Sequence, residues 1–592
     1  MTFEDTKVKI LFPTILLILA HLSFFIWRDH TDPLSGYRHL MLQIMIISIG
    51  LAAVFGFLVF RSARPGLYGN IDIWVVLFTL LVILNVKKEY STLLTDKNLL
   101  TYVTCIGVYA VIRLNSKYLL NGKFVLYGML ALASVETGFL LVEGFRLLNN
   151  TGWPLPAFRG SFVNSGMLGN YLAILFPLQL YTLQKVNGRN LVYKIILALL
   201  LSDILFLVLS QSRIGWLSVF ISTVLIIPWY IQNRKKKILF YLSAAVFAIL
   251  LAVVILAIKL DSAAGRLLIW DITAHHLDDY RIQGAGHGKF ASLYNLWQAD
   301  YFSIRDINDR YFYIADNTFF AFNEFLQTAI ELGWPGGLMW LFLLVYVSGK
   351  ISKRNIWSVP VFAFLILCFA SYPFREMRTQ LLFFSLLACF ANNDCRTGKS
   401  YASGGKVWLA GVLYRCLYIS GVLCWSIAGS FCLLQLRSTY TWNEARNEFS
   451  FDGKKGKALY GAAFSRLRHN PEFLLEYGTR LIEENELYAA KKTLEHSKRS
   501  FVSQIHQVEL GYCYEQMAEY GPAEKHYLDA VYISPSKLAP RYQLLLFYDR
   551  TGRMRDAVSA GETIMKIRPK IRSNERGRLI KEAVEKYLKK HP

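Results

Sequence analysis

Cysteine is missing from the longest polar stretch between hydrophobic runs, residues 259–337, and after residue 436 only Cys513 is present. No extracytoplasmic disulfide framework and no Cys-rich metal site can be built from those parts. The other seven cysteines read as small apolar packers in or near a membrane. Charge is also sparse, at 18% of residues, and acids are outnumbered 42 to 65, which leaves a net charge of +23. A basic excess is one signature of nucleic-acid binding, but here Lys and Arg fall in short clusters between apolar runs. That is the pattern of topology signals and anionic-headgroup contacts, so membrane lipids and no nucleic acid are the expected partners. The first apolar run, Ile10 to Trp27, lacks an A-x-A-like cleavage site and is expected to be a retained span.

What the chain has in abundance is apolar surface. Hydrophobic residues make up 54% of its 592 positions and aromatics 15%, with a mean hydropathy of +0.32. The expected fold class is all-α: a polytopic transmembrane helix bundle with a soluble appendix. A helix needs roughly 20 apolar residues to cross the hydrocarbon. On that rule spans are expected near 10–27, 39–60, 71–86, 98–113, 124–143, 166–184, 192–209, 214–231, 238–258, 318–349, 356–371, 377–392 and 407–436, about 12–13 crossings. The positive-inside rule places NRKKK (233–237), Arg61 with Arg64, and Lys185 with Arg189 in the cytoplasm. The loop 259–317, the SYPFREMR turn and everything after residue 436 then lie outside. Lys87, Lys88 and Lys97 run against this assignment.

From Thr441 the pattern changes to amphipathic helices. Ala489, Ala523 and Ala557 recur every 34 residues, as do Tyr514 with Tyr548 and Pro535 with Pro569. A 34-residue helix-turn-helix period with small residues where helices cross resembles the tetratricopeptide repeat, an α-solenoid unit that commonly receives a protein partner. The Trp of that motif is absent, and its Gly is kept only at Gly478 and Gly511. Three regions are therefore expected: N-terminal spans (1–150), a transmembrane core with its large loop (151–436) and a C-terminal repeat domain (437–592).

Four arginines occupy unusual settings on the expected outer face: Arg159 in FRGSFVNSGMLGNYLA, Arg213 in LSQSRIGWLS, Arg266 in GRLLIW and Arg375 in SYPFREMR. A guanidinium at a membrane boundary needs a phosphate-like ligand, an ion pair such as Arg375 with Glu376, or a route to water by snorkelling. Two His and two Asp in HHLDD (His275, His276, Asp278, Asp279) are metal-capable, but their spacing fits no standard ligand pattern, so no metal is expected. The cluster YNLWQADYF is expected to anchor the loop at the interface, as aromatic belts do.

FRGSFVNSGMLGNYLAILFP, LSQSRIGWL, GRLLIW, QGAGHGKF and FNEFLQTAIELGWPGG, in this order, resemble the successive motifs of the O-antigen ligase superfamily, which includes lipopolysaccharide O-antigen ligases, Wzy-type polymerases and protein O-oligosaccharyltransferases. The resemblance covers roughly residues 150–390. It implies metal-independent and cofactor-free glycosyl transfer at the periplasmic face of a bacterial inner membrane. The donor would be an undecaprenyl-diphosphate-linked glycan and the acceptor a hydroxyl of lipid A-core or protein. Carried over by position, Arg159, Arg213 and Arg266 would hold the diphosphate. Gly284, Gly286 and Gly288 would shape the loop together with Asn323.

One position departs from the family: Phe322 stands where many members have the His offered as acceptor base. On a helix starting at FNEFLQ, Glu324, Gln327, Thr328 and Glu331 share a face. Glu324 is thus the expected base, with Glu331 second and His287 in reserve. The alternatives are a Wzy-type polymerase, or a non-catalytic transporter or scaffold that works through its repeats.

Overall fold

The structure is a computed structural model that describes residues 44–46, 48, 50, 69–86, 97–114, 123–150, 157–257, 260–352, 355–397, 429–568 and 575–591. The spans expected at 10–27, most of 39–60 and residues 407–428 lie outside the described residues, as do Arg61, Arg64, Lys87, Lys88 and Pro569. Among the described residues the fold is helical. The sole extended pairing is an isolated bridge between Ser352 and Asn355.

The membrane part comprises α1 (Asn70–Leu84), α2 (Lys97–Leu114), α3 (Lys123–Asn150), α4 (Ser165–Leu183), α5 (Leu191–Leu209), α6 (Arg213–Ile226) and α7 (Arg234–Ala257). After a loop these are followed by α11 (Trp334–Ser348), α12 (Ser358–Leu367) and α13 (Met377–Thr397). Helix α4 is the axis: nearly every residue from Leu168 to Thr182 is buried, because α5, α6 and α12 surround it. Helix α7 is apolar all round and buries none of its spanning window inside the protein, as expected of a surface whose solvent is lipid. Stretches of α3, α5 and α7 are long and apolar enough to cross a bilayer.

The bundle has two polar ends. At one end Asp72 at the start of α1 accepts from Tyr109 (2.6 Å) and from the Arg113 Nε (2.8 Å) near the end of α2. There too Lys350 pairs with Asp394 at 3.0 Å. The opposite end is the loop face. Here the Asn85 carbonyl, just past α1, accepts the His287 amide, so the C-terminal end of α1 lies on the same face as the loop.

The segment expected as one span over 318–349 is divided. A short helix, α10 (Glu324–Leu332), ends at Gly333, whose φ of +78° turns the chain before α11 begins. Nine residues of helix cover only about 14 Å, too little to cross. Helix α10 therefore belongs to the loop, with α8 (Leu260–His275) and α9 (Phe290–Ser303).

The C-terminal region is a stack of antiparallel hairpins: α14 (Gly453–Leu467), α15 (Pro471–Glu483), α16 (Leu487–Lys498), α17 (Gln504–Gln516), α18 (Tyr520–Ile533), α19 (Leu538–Arg550), α20 (Met554–Lys566) and α21 (Glu575–Lys590). Most of the repeated small residues lie where paired helices cross; Ala489 is only half-buried, and Ala490 beside it is the buried one. Ala523 and Ala557 are fully buried, Gly478 leaves room only for Leu494, and Gly511 only for Tyr527. The stack lies on the loop face and packs on the loop itself. Phe312 sits among Leu538, Leu545, Ile564 and Val584, and Phe319 stacks on Phe501 at 4.8 Å.

Candidate active site on the loop face

Helix α10 organises the site. Asn323 caps it by accepting from the amides of Phe325 and Leu326 at 3.0 and 3.1 Å, the role its short side-chain carbonyl suits. Its apolar and polar faces are sharply separated, and Glu324, Gln327 and Glu331 all turn inward and are buried. Glu331 is the most heavily bonded of the three. It accepts from the Gly288 amide and from Gln327, each at 2.9 Å, and faces Arg375 at 3.4 Å and the His287 Nδ1 at 3.7 Å.

The glycine turn approaches α10 rather than open space. Ala285 and Gly286 donate their amides to the carbonyls of Ile330 and Glu331 at 2.8 and 2.9 Å. Gly284 has a φ of +64°, and a Cβ there would lie 2.4 Å from the Glu331 carbonyl oxygen. Only glycine meets both conditions. Gly286 and Gly288 also have positive φ, and the Gly288 amide is free to reach the Glu331 carboxylate.

Glu324 has fewer partners. One carboxylate oxygen accepts the Phe374 amide at 3.1 Å. Burial pushes its pKa up to about 7; the Arg375 charge and the Phe374 amide oppose that rise, and Glu331 adds to it. Both acids line a cavity of about 60 Å³ with His287, Thr328, Arg375 and Gln380 as its polar wall and Phe78, Tyr102, Trp340 and Phe374 among its apolar one. The space is roomy enough for a hydroxyl group or a few waters. Among the described residues, the buried His287 Nε2 and Arg375 Nε have no hydrogen-bond partner.

The arginines divide into two groups. Arg213 opens α6, and Arg266 lies on α8 close enough for the two charges to act on each other. Burial first, then the Arg213 charge, holds the Arg266 guanidinium below its ordinary pKa. Arg266 lies 5.5 Å from the centre of the Phe322 ring. Phe322 has a φ of +52°, a left-handed conformation uncommon for a bulky residue. Its ring meets Tyr372 edge-on at 4.9 Å, and Tyr372 stacks on Phe320 at 5.3 Å and hydrogen-bonds Asn164. Arg375 lies over the same Phe320 at 5.3 Å. Phe320, Phe322 and Tyr372 thus form an aromatic wall that Arg266 meets at Phe322 and that Arg375, from the acid cavity, meets at Phe320.

Arg159 arrives from a neighbouring turn. The Phe158 amide donates to the Leu209 carbonyl beside the 210–213 turn, and the Arg159 side chain is exposed. Its backbone is held by residues that sequence reasoning passed over. Glu143 accepts the Gly160 amide at 2.6 Å, and buried Glu136 accepts the Ser161 amide at 2.9 Å and the Ser161 hydroxyl. Arg378 donates to Ser161 and lies 3.6 Å over Phe162. Arg378 also takes Glu376 at 2.8 Å, so the ion pair of Arg375 with Glu376, one alternative weighed from sequence, gives way to Arg375 with Glu331. The signal was present as a second arginine three residues along the same turn.

Two further motifs take defined places. In HHLDD, His276 bonds Asp279 at 2.8 Å and stacks on Trp297 at 4.2 Å, while His275 turns to Asp271. The two rings serve different partners. The cluster YNLWQADYF is not an interfacial anchor: Tyr294, Trp297 and Phe302 are buried in α9 because α9 packs on α8 and on the hairpin stack.

Residues 195–341 match the family model described as O-antigen ligase. The matched stretch runs from α5 into α11 and contains Arg213, Arg266, the glycine turn with His287, Phe322 and both acids of α10. Arg159, Tyr372 and Arg375 lie outside it. No curated protein matches the chain.

Proposed function

We propose that this chain, which carries an O-antigen ligase domain acting in glycan transfer or polymerisation at a membrane, moves a glycan from an undecaprenyl-diphosphate donor to a hydroxyl of lipid A-core or protein. The observation that carries this reading is the pair Arg213 and Arg266, half-buried and mutually repelling on the loop face that also holds the raised-pKa acid Glu324. Two guanidiniums that repel each other are relieved by an anion, and a diphosphate presents oxygens matched to their donor forks. The acceptor hydroxyl attacks C1 of the donor sugar, the bond from C1 to the phosphate oxygen breaks, and the lipid diphosphate leaves with the electron pair. Glu324 takes the hydroxyl proton, with Glu331 and His287 behind it. Arg213 and Arg266, joined by exposed Arg159, hold the growing charge on the leaving group, so the reaction is metal-independent. Rearrangement of the wall of Phe320, Phe322 and Tyr372 on substrate binding brings acid and diphosphate together.

In this reading the loop face is the periplasmic face of a bacterial inner membrane, and the C-terminal stack is periplasmic with it. The stack favours a macromolecular acceptor over the growing glycan of a Wzy-type polymerase. A protein partner has exposed tyrosines available on the stack, such as Tyr488 and Tyr520. The test is deletion of the gene, glycan analysis of lipopolysaccharide and periplasmic proteins, and complementation. Arg213→Ala and Arg266→Ala are each expected to lower transfer about 10²–10³-fold, the range for loss of one charge-stabilising donor. Unchanged glycans in the deletion strain, with no second copy of the gene present, would end the reading.

A further inference from the structure

Two buried amides on α9 do more than fill space. Asn295 donates to the Val502 carbonyl at 2.7 Å and accepts the Thr318 amide at 2.9 Å. Gln298 donates to the Ile533 carbonyl at 2.6 Å and to the Asp316 carbonyl at 3.0 Å. Each therefore joins three pieces of chain: the loop helix, a hairpin junction of the C-terminal stack, and the return stretch 316–318. Apolar packing alone tolerates sliding, but a buried amide with fixed partners sets a register. At the edge of the same interface Lys537 pairs with Asp316 at 2.6 Å.

The ends of the gripped segment are the site. Helix α9 begins three residues after His287, and the 316–318 stretch ends four residues before Phe322. We propose that the C-terminal stack takes the chain's own loop as its partner, acting as an intramolecular clamp whose grip on Asn295 and Gln298 positions His287 and the Phe322–Glu324 stretch for reaction. These amides are positioning residues, since they touch no reacting atom. The clamp stands on contacts alone, whereas its effect on chemistry rests on the glycan-transfer reading.

A protease site inserted between Phe451 and Asp452, where Phe451 is exposed, separates the two functions in full-length protein purified in detergent. After cutting, the stack should remain bound to the membrane part through affinity purification on an N-terminal tag. Asn295→Asp with Gln298→Glu, which sets carboxylates against carbonyl oxygens, should release it. Lys537→Ala, at a solvent-exposed edge where folding is not at risk, should release it partially as salt is raised. Release from the unsubstituted cut protein, or retention unchanged by the double variant, overturns the clamp. In uncut protein Gln298→Ala should lower kcat for transfer at least tenfold, with KM for the lipid-linked donor within twofold. An unchanged kcat overturns the positioning role. If the unsubstituted protein transfers no glycan at all, the functional reading fails while the retention result still decides the clamp.

Discussion

Glu324 carries the clearest consequence at the scale of one residue. Its pKa is raised to about 7 by burial, so the carboxylate able to take a proton becomes the major form only above neutrality. Transfer should rise with pH through a limb near 7, and Glu324→Gln should remove both the limb and most of the rate, read from a pH profile of initial rates. The linkage has the opposite sense for stability. A raised acid stabilises the fold fully below its unfolded value near 4.5 and loses that contribution as pH rises through about 7. Activity and stability should therefore move in opposite directions across neutrality. Glu324 and Glu331 were legible in the sequence because helical spacing alone puts them on one face. Their inequality was not, because it depends on Arg375 and the Gly288 amide converging on Glu331, contacts that span more than 40 residues of chain. Phe322 was legible as a departure. Its left-handed backbone and its place in a wall beside Arg266 were not.

Among elements, the interlock between the glycine turn and α10 is the most sensitive. Gly284→Ala would force a Cβ to within 2.4 Å of the Glu331 carbonyl oxygen in a conformation that L side chains avoid. Strain of this kind costs about 1–3 kcal/mol. The variant should lower the midpoint of thermal unfolding and transfer together, and a midpoint equal to that of the unsubstituted protein would contradict the interlock. The glycines were readable from sequence as shaping the loop, but not as approaching α10. Span positions were readable from hydropathy to within a few residues for α1, α5 and α7, because lipid imposes length and apolarity directly. The break at Gly333 was not, since α10 and α11 read as one apolar run. The same blindness affected α9: its aromatics look alike whether they face headgroups or a neighbouring domain, and only the partner distinguishes the two.

On the scale of the whole molecule, the hairpin stack sets the response to acid. His506 is buried between the Ser497 and Ser503 hydroxyls at 2.7 and 2.8 Å, and burial lowers its pKa to about 3; His526, against Gln507, is lowered to about 3 as well. A depressed base is neutral in the fold and protonated when unfolded. The stack should keep its stability above about 6.5 and lose it progressively as pH falls toward 3. Hydrogen exchange over residues 499–535 in the intact protein should accelerate across that window, and His506→Gln should flatten the dependence. The 34-residue period made the stack legible from sequence. Its contact with the loop was not, because no local pattern records which surface a distant segment will choose.

That contact also fixes an order of events in biosynthesis. Val502 follows Asn295 by 207 residues, and at typical rates of chain elongation the ribosome needs roughly 10–40 s to cover that distance. Throughout that interval α9 has been made and the surface that receives it has not. The loop amides must stay hydrated until Val502 and Ile533 emerge, so under the proposed clamp the His287 and Glu324 ends of the site reach their final spacing only after that part of the stack is made. A ribosome that stops early leaves a membrane-inserted protein with its arginines in place and its acids out of register.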